Sequence, residues 1–566
     1  MMLRNYEILA DDLVAVCATG DAAALQRINE HYGRSSTADD LRAIVWRLVY
    51  KVRQAGGAAN AFNSAEAREL IARTSGFCSW TALTEAVVQG AASAGPAYST
   101  DAKESAIVAR RNAGDSEWDA IAGIMRERRI TALDANGFMT GRALNLIAGL
   151  DHVTSLKLSG SRQLSDDDLQ NLARMPQLER LDLSEYPGGR LTDRGLAVLR
   201  NLPNLRAFTM TWQRRISDAG VANLKFCEKL ESVNLMGTPT GDGAIEALRG
   251  KPGLRRLDTG RLVTDTGLAH LHDFPLLKTW HGGEVTESPL SEDSEPTRLL
   301  IDGPFTNNGL ASLRGLDGVS ALDLFWHVSG ITPDGFEVLA HLPHLASLGC
   351  DGDLSGDQAM RHIARIPGLR KLRAQGSVAT DDGFIALSQS ASLERFWGRE
   401  CPNLTGRGFV ALSRMPALQS LGVSCRNVDD QALGSLPRFP ALRELTPIGV
   451  TDEGFRHVGL CERLERLSCM YCRDTTDVAT QHIAGLQLKS YYAGLTQITD
   501  HSLEILGRML SLESIELYET KGVTAAGLAY LAGLPRLREI RLSGLPNCAF
   551  GSANVFPEHV RVAHDV

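Results

Sequence analysis

The chain is expected to fold as an α/β solenoid, with short parallel strands on one face and helices on the other. Three observations predict this. First, the sequence repeats itself. Copies aligned on a Thr/Ser-Asp-x-Gly-Leu start include LTDRGLAVLRNLPNLRAFTMTWQRR from Leu191, ISDAGVANLKFCEKLESVNLMGTP from Ile216 and ITPDGFEVLAHLPHLASLGCDGDL from Ile331. LTGRGFVALSRMPALQSLGVSCRN from Leu404 and ITDHSLEILGRMLSLESIELYET from Ile498 continue the series. About sixteen units, mostly of roughly 22 to 27 residues, lie between Met139 and Asn547. Second, apolar residues follow a helical period and then an alternating one inside each copy. Third, the 566 residues contain 54 Gly but only 6% aromatics, which suits many short elements and turns.

The distilled pattern is [IVL]-T-D-x-G-[LF]-x-x-L-x-x-[LM]-P-x-L-x-x-L-x-L-x-x. Thr-Asp reads as an N-cap, whose oxygen satisfies unpaired backbone N–H groups at a helix start. Gly-Leu-x-x-Leu supplies a helix of two turns or so. The Pro that follows ends it, because the residue before Pro leaves the α region. Leu-x-x-Leu-x-Leu is a short strand with one buried face. Neither element buries its apolar side alone, so the units must stack.

On these residues the chain resembles the leucine-rich repeat family. Its T-D-x-G-L phase looks like bacterial members similar to the cysteine-containing class found in F-box adaptors. The resemblance covers roughly three quarters of the chain. It implies a horseshoe with strands on the concave face and helices on the convex one. One unit breaks the rhythm: Thr286 to Pro296 is acidic and contains Pro, which reads as a loop standing where a convex helix belongs. A strand near Arg298 to Asp302 is expected to resume the stack.

The expected organisation is a helical domain over 1–91, a linker over 92–105, the solenoid over 106–547 and a capping strand within 548–566. Helices are expected near 7–18, 21–31, 37–53, 64–74 and 79–89. LVAVCATGDAAALQRINEHYG resembles one ankyrin-type helix pair. RITALDA reads as a first solenoid strand, and Val560 and Val562 as a last edge strand.

Composition narrows the function. A net charge of -8 argues against nucleic acid as the main partner. No apolar run is long enough for a membrane span, and no secretory signal is evident, so no membrane partner is expected. The ten Cys show no disulfide or metal-finger spacing. A cytoplasmic chain is expected, or one delivered to a host cell by a route that needs no such signal. No catalytic motif, cofactor or metal site is expected. His270 with His272, and His341 with His344, read as solvent-facing repeat positions. Cys469 and Cys472 read as structural, one in a buried Leu slot and one bonded to a turn.

Residues flanking the last two Leu of each unit point out of the concave face. The expected partner-binding set is Trp212, Phe325, Trp326, Arg373, Arg395, Trp397, Arg399, Arg426, Met470, Tyr471, Tyr492 and Tyr518. Basic residues gather from Lys371 to Arg426, whereas Glu444, Glu516, Glu519 and Glu539 make the far end acidic. Aromatic and arginine side chains are enriched where binding energy concentrates. The function expected is a non-enzymatic scaffold holding a protein on its concave face, with a second partner possible at the N-terminal helices. The alternative is an F-box-like adaptor or delivered effector in ubiquitin ligation. That alternative rests on LADDLVAVCATGDAAALQRI and Trp46, with Ala10 standing where the family has Pro.

Overall fold

The computed structural model describes residues 2–32, 36–45, 62–74, 80–81, 83–84, 98–100, 105–109, 113–185, 189–281, 296–545, 547–548 and 555–565. The chain divides into two units, Met1–Ile71 with Gln89–Ile331, and Ala72–Val88 with Thr332–Val566. The expected loop over 286–296 lies outside the described residues except for Pro296. Trp46 and most of the expected helix at 79–89 also lie outside.

The first unit opens with helices Met2–Thr19, Ala22–Tyr32 and Ala38–Val45. Gly20, at φ +74°, turns the chain between the first two. Asp21 accepts from Ala23 N at 2.9 Å and Ala24 N at 3.0 Å, capping the second. Arg27 Nε meets Asp12 Oδ2 across the pair at 2.9 Å.

Its strands are β1 (Tyr98–Thr100), β2 (Ala106–Ala109), β3 (Ala132–Asp134), β4 (Ser155–Lys157) and β5 (Arg180–Asp182). Then come β6 (Ala207–Thr209), β7 (Ser232–Asn234), β8 (Arg256–Asp258), β9 (Arg298–Ile301) and β10 (Ala321–Leu324). From β2 to β10 each pairs in parallel with the next. Within the stretch expected as linker, β1 forms an antiparallel pair with β2. The ladder therefore begins two strands earlier than RITALDA.

The second unit continues the same architecture. Its strands are β11 (Ser347–Cys350), β12 (Lys371–Arg373), β13 (Arg395–Gly398), β14 (Ser420–Ser424) and β15 (Glu444–Ile448). They are followed by β16 (Arg466–Met470), β17 (Ser490–Gly494), β18 (Ser514–Tyr518), β19 (Glu539–Ser543) and β20 (Arg561–Asp565). Each again pairs in parallel with its successor. Leu348, Leu372, Phe396, Leu421, Leu445 and Leu467 stand side by side and are buried. Residues on either side of them are half-buried or exposed, apart from the buried Gly349 and Gly422, as strand alternation requires. Several helical segments wind as 3-10 turns, among them Gly195–Asn201 and Pro333–His341. A 3-10 turn covers more axial length per residue, which suits short units.

The T-D-x-G motif has a fuller explanation than an N-cap. The Thr does cap: Thr264, Thr306, Thr380, Thr476, Thr499 and Thr524 each accept from a backbone N–H two residues on. The Asp, however, serves the next repeat. Asp242 accepts from Thr264 N at 2.8 Å, Asp381 from Thr405 N at 2.8 Å and Asp500 from Thr524 N at 2.8 Å. The Gly leaves room for that carboxylate. A Cβ on Gly267, Gly408 or Gly527 would stand 2.3, 2.6 or 2.1 Å from the preceding repeat's Asp oxygen.

This ladder corrects the reading of the odd repeat. Asp265 accepts from Thr306 N at 2.6 Å, although 41 residues separate them, and β9 pairs directly with β8. Helix Asp265–Ala269 is present, and Pro275–Lys278 is a helical turn. The repeat that starts at Asp265 thus keeps its helix and ends in β9, contrary to the expectation that a loop replaces the helix.

The carboxylates set a pH dependence. Burial pushes the Asp265, Asp381 and Asp477 pKa values up, but hydrogen bonds from the next repeat outweigh it and hold all three below the usual range. A depressed folded-state value stabilises the fold above the unfolded pKa of about 3.9, and that stability disappears as pH falls through the folded value. The melting temperature is therefore expected to be flat near neutrality and to fall steeply below about pH 4. A melting temperature unchanged down to about pH 2 in thermal scans monitored by circular dichroism counts against this role.

Candidate partner-binding face

After each strand the chain makes a turn that often needs a left-handed residue. Glycine fills it at Gly160, Gly237, Gly352, Gly376, Gly449 and Gly544. Elsewhere Trp212 (φ +61°), Glu400 (+60°), Tyr471 (+56°), Leu495 (+58°) and Glu519 (+48°) occupy it. Non-glycine residues there carry a backbone cost of about 1 kcal/mol. Trp212 and Tyr471 therefore hold aromatic rings at positions where glycine is the easier choice.

In the first unit, three rings of the expected set come together. Phe325 and Trp326 stack with centroids 5.0 Å apart and planes at 7°. Trp212 lies 5.9 Å from Trp326 and 6.5 Å from Phe325. Trp212 and Trp326 follow β6 and β10, which are four strands apart, about 19 Å at the usual spacing. Gly237, Gly260 and Gly303 stand at the intervening turns, and the Trp212 ring covers Gly237. Trp326 is 69% exposed; Phe325 and Trp212 are half-buried.

The expected residues of the second unit are less displayed. Trp397 lies over Gly422, its partner on β14, so its ring is half-buried along the sheet. Arg399 Nη1 donates to the Tyr471 hydroxyl at 3.3 Å, and its guanidinium lies 5.5 Å from that ring's centroid. Met470, Tyr492 and Tyr518 are half-buried. Burial pushes the Tyr492 phenol up, reinforced by Glu516, Tyr518, Tyr471 and Glu519, which places these groups near one another. Arg426 is exposed.

The expected division into basic and acidic ends needs correction. Arg395 Nη1 reaches Glu444 Oε2 at 2.9 Å, two strands away, and Arg466 also bonds Glu444. Ser420, between Arg395 and Glu444 in register, is small enough to let them meet. Arg373 is bonded to Asp351. These charges neutralise one another, so the face is mixed.

His272 also differs from expectation. It is half-buried and Nε2 lies 2.6 Å from Ser312 O, joining adjacent repeats, whereas His341 is exposed. Cys469 is buried, and Cys472 Sγ donates to Pro447 O at 3.1 Å. Burial raises the Cys472 thiol to about 11, which keeps it protonated. No group of His, Cys, Asp and Glu among the described residues could hold a metal ion. No described helix is long and apolar enough to cross a membrane.

Sequence reasoning missed several exposed groups in the turns after β5, β6 and β8: Arg190, Arg214, Arg215 and Leu262. They lie in the turns beyond the last patterned Leu, where the repeat assigns no direction to a side chain.

No family model matches the chain, and no curated protein matches it. Solved structures similar to it include an internalin of Listeria monocytogenes, at 16% identity over 67% of this chain and 88% of that one, with a TM-score of 0.31. Another is the complex of TLR13 with ssRNA13, at 14% identity over 79% and 70%, with a TM-score of 0.44. A third is the yeast Rad7 and Elc1 complex, at 13% identity over 79% and 92%, with a TM-score of 0.35. The strand ladders themselves, with helical segments between most strands and aspartates tying many repeats to the next, make this chain an α/β solenoid of the leucine-rich repeat kind.

Proposed function

We propose that the chain is a non-enzymatic scaffold that docks a protein partner on its strand face and the adjoining turns. The cluster of Trp212, Phe325 and the exposed Trp326 carries this reading. Large rings left in water beside arginine form the kind of anchor that concentrates binding energy. Trp397, Arg399 and Tyr471 add a flatter surface in the second unit. Buried, protonated thiols suit a reducing compartment such as the cytoplasm.

The test compares proteins retained from the native cell by the wild-type chain, by Trp326→Ala and by a helix-side pair, Arg361→Ala with Arg407→Ala. An anchor of this kind contributes about 2 kcal/mol or more, so Trp326→Ala is expected to weaken a purified partner's binding at least about tenfold. Its circular dichroism spectrum should be unchanged. Binding that survives Trp326→Ala and is lost in the helix-side pair places the docking face on the other side.

A further inference from the structure

The turns after β5, β6 and β8 carry positive charge that no acid among the described residues pairs with. Arg190, Arg214, Arg215 and Arg261 follow β5, β6 and β8, and all four are exposed. Among the described residues none of them forms an ion pair. Arg214 and Arg215 lie two and three residues beyond Trp212. Arg261 donates its backbone N–H to Thr238 O at 3.0 Å, which sets it one residue from Gly237, beneath the Trp212 ring.

Among the described residues, the carboxylates of these strands and turns are already engaged. Glu185 is 5% exposed and accepts from Arg162 Nε at 2.8 Å. Asp302 is buried and accepts from His327 N at 2.7 Å, with His327 Nδ1 at the same distance. Asp323 accepts from Arg298 Nη2 at 3.3 Å, and Asp258 lies 4.0 Å from Arg298 Nε. Asp182 accepts from Ser184 N at 2.8 Å. These turns therefore present the ring cluster together with an exposed Leu262 and four guanidiniums that make no ion pair among the described residues, on a chain of net charge -8.

We propose that this rim takes an acidic polypeptide segment bearing one large apolar side chain, which sits against Trp326 while its carboxylates meet Arg190, Arg214, Arg215 and Arg261. This rests on the protein-docking reading above and specifies the partner's chemistry. The guanidinium fork suits carboxylates in paired hydrogen bonds. The apolar platform supplies the area that point charges on a wet surface do not. Arg214 and Arg215, adjacent in the chain, also repel, so an acidic ligand gains from relieving that repulsion.

The test uses random displayed peptides of about 12 residues, long enough to span several strand spacings, selected on the intact chain. Selected peptides are expected to be rich in Asp and Glu with one Trp, Phe or Leu. Affinity of a synthesised representative, read by fluorescence anisotropy, should fall at least about tenfold in Trp326→Ala and in Arg214→Glu with Arg215→Glu. It should also weaken as salt rises from about 50 to about 500 mM. Arg361→Ala should bind as the wild type does. Peptides that need Trp326 but lack acidic residues overturn the proposed chemistry while leaving the docking face standing. Absence of any peptide dependent on Trp326 overturns both. Tighter, Trp326-dependent binding of a thymidine oligonucleotide of about 15 residues assigns the rim to single-stranded nucleic acid and overturns both as well.

Discussion

Replacing Leu421 with aspartate is expected to unfold the middle of the second unit. Leu421 is 1% exposed and lies in β14, between Phe396 of β13 and Leu445 of β15. Removing a buried leucine side chain leaves a cavity, and the new carboxylate would enter a site with no partner. Together these cost about 5 kcal/mol or more. Units in a solenoid depend on their immediate neighbours, so damage should spread outward from the lesion. Hydrogen exchange should show lost protection first in Arg395–Gly398 and Glu444–Ile448, while the strands of the first unit keep theirs. Thr446→Asp provides the contrast. Thr446 is one strand away on the opposite, half-buried face, and the same new charge there should have little effect. Equal losses in both variants would mean that the strand alternation does not divide a core from a surface.

That alternation was the most legible part of the fold. Leu421 and Leu445 declare their burial by spacing alone, since period-two burial depends only on a residue's own strand. The resumption of the ladder at β9 was legible for the same reason. Features that depend on a neighbouring repeat were not. Glycine in T-D-x-G was visible as a pattern, but its cause is an aspartate about 25 residues earlier, packed against it. Trp397 and Trp326 look alike in sequence as aromatics at a strand's outer slots. One lies flat because its neighbour is Gly422, and the other stands out in a turn. The Arg395–Glu444 pair was misread as two separate charges, because its register passes over Ser420 to a strand two units away. Pro275–Lys278 shows the same limit in reverse: a short apolar run reads equally well as strand or helical turn until its neighbours are fixed.

The second large effect is expected at Asp381. Its carboxylate accepts from Thr405 N at 2.8 Å and from the Thr405 hydroxyl, and a backbone hydrogen bond from Gly408 also lowers its pKa. Asp381→Ala leaves two backbone N–H groups at the next helix start without that acceptor. Hydrogen bonds to a charged acceptor contribute about 1.5–3 kcal/mol each, so a loss of about 3 kcal/mol is expected after partial compensation by water. The amides of Thr405 and Gly408 should exchange faster than in the wild type, and the melting temperature should fall. Gly408→Ala attacks the same joint from the other side, because its Cβ would stand 2.6 Å from Asp381 Oδ1 and 2.9 Å from Leu404 Cδ1. Each substitution alone should destabilise. Combined, they should cost less than their sum, since removing the carboxylate removes the principal clash; contacting residues commonly show couplings of about 0.5–3 kcal/mol. Strict additivity in urea melts of the four chains would show that the glycine is required for some reason other than the aspartate beside it. A coupling of the expected sign would identify T-D-x-G as one joint, in which a residue of one repeat is chosen for the space it leaves to the carboxylate of another.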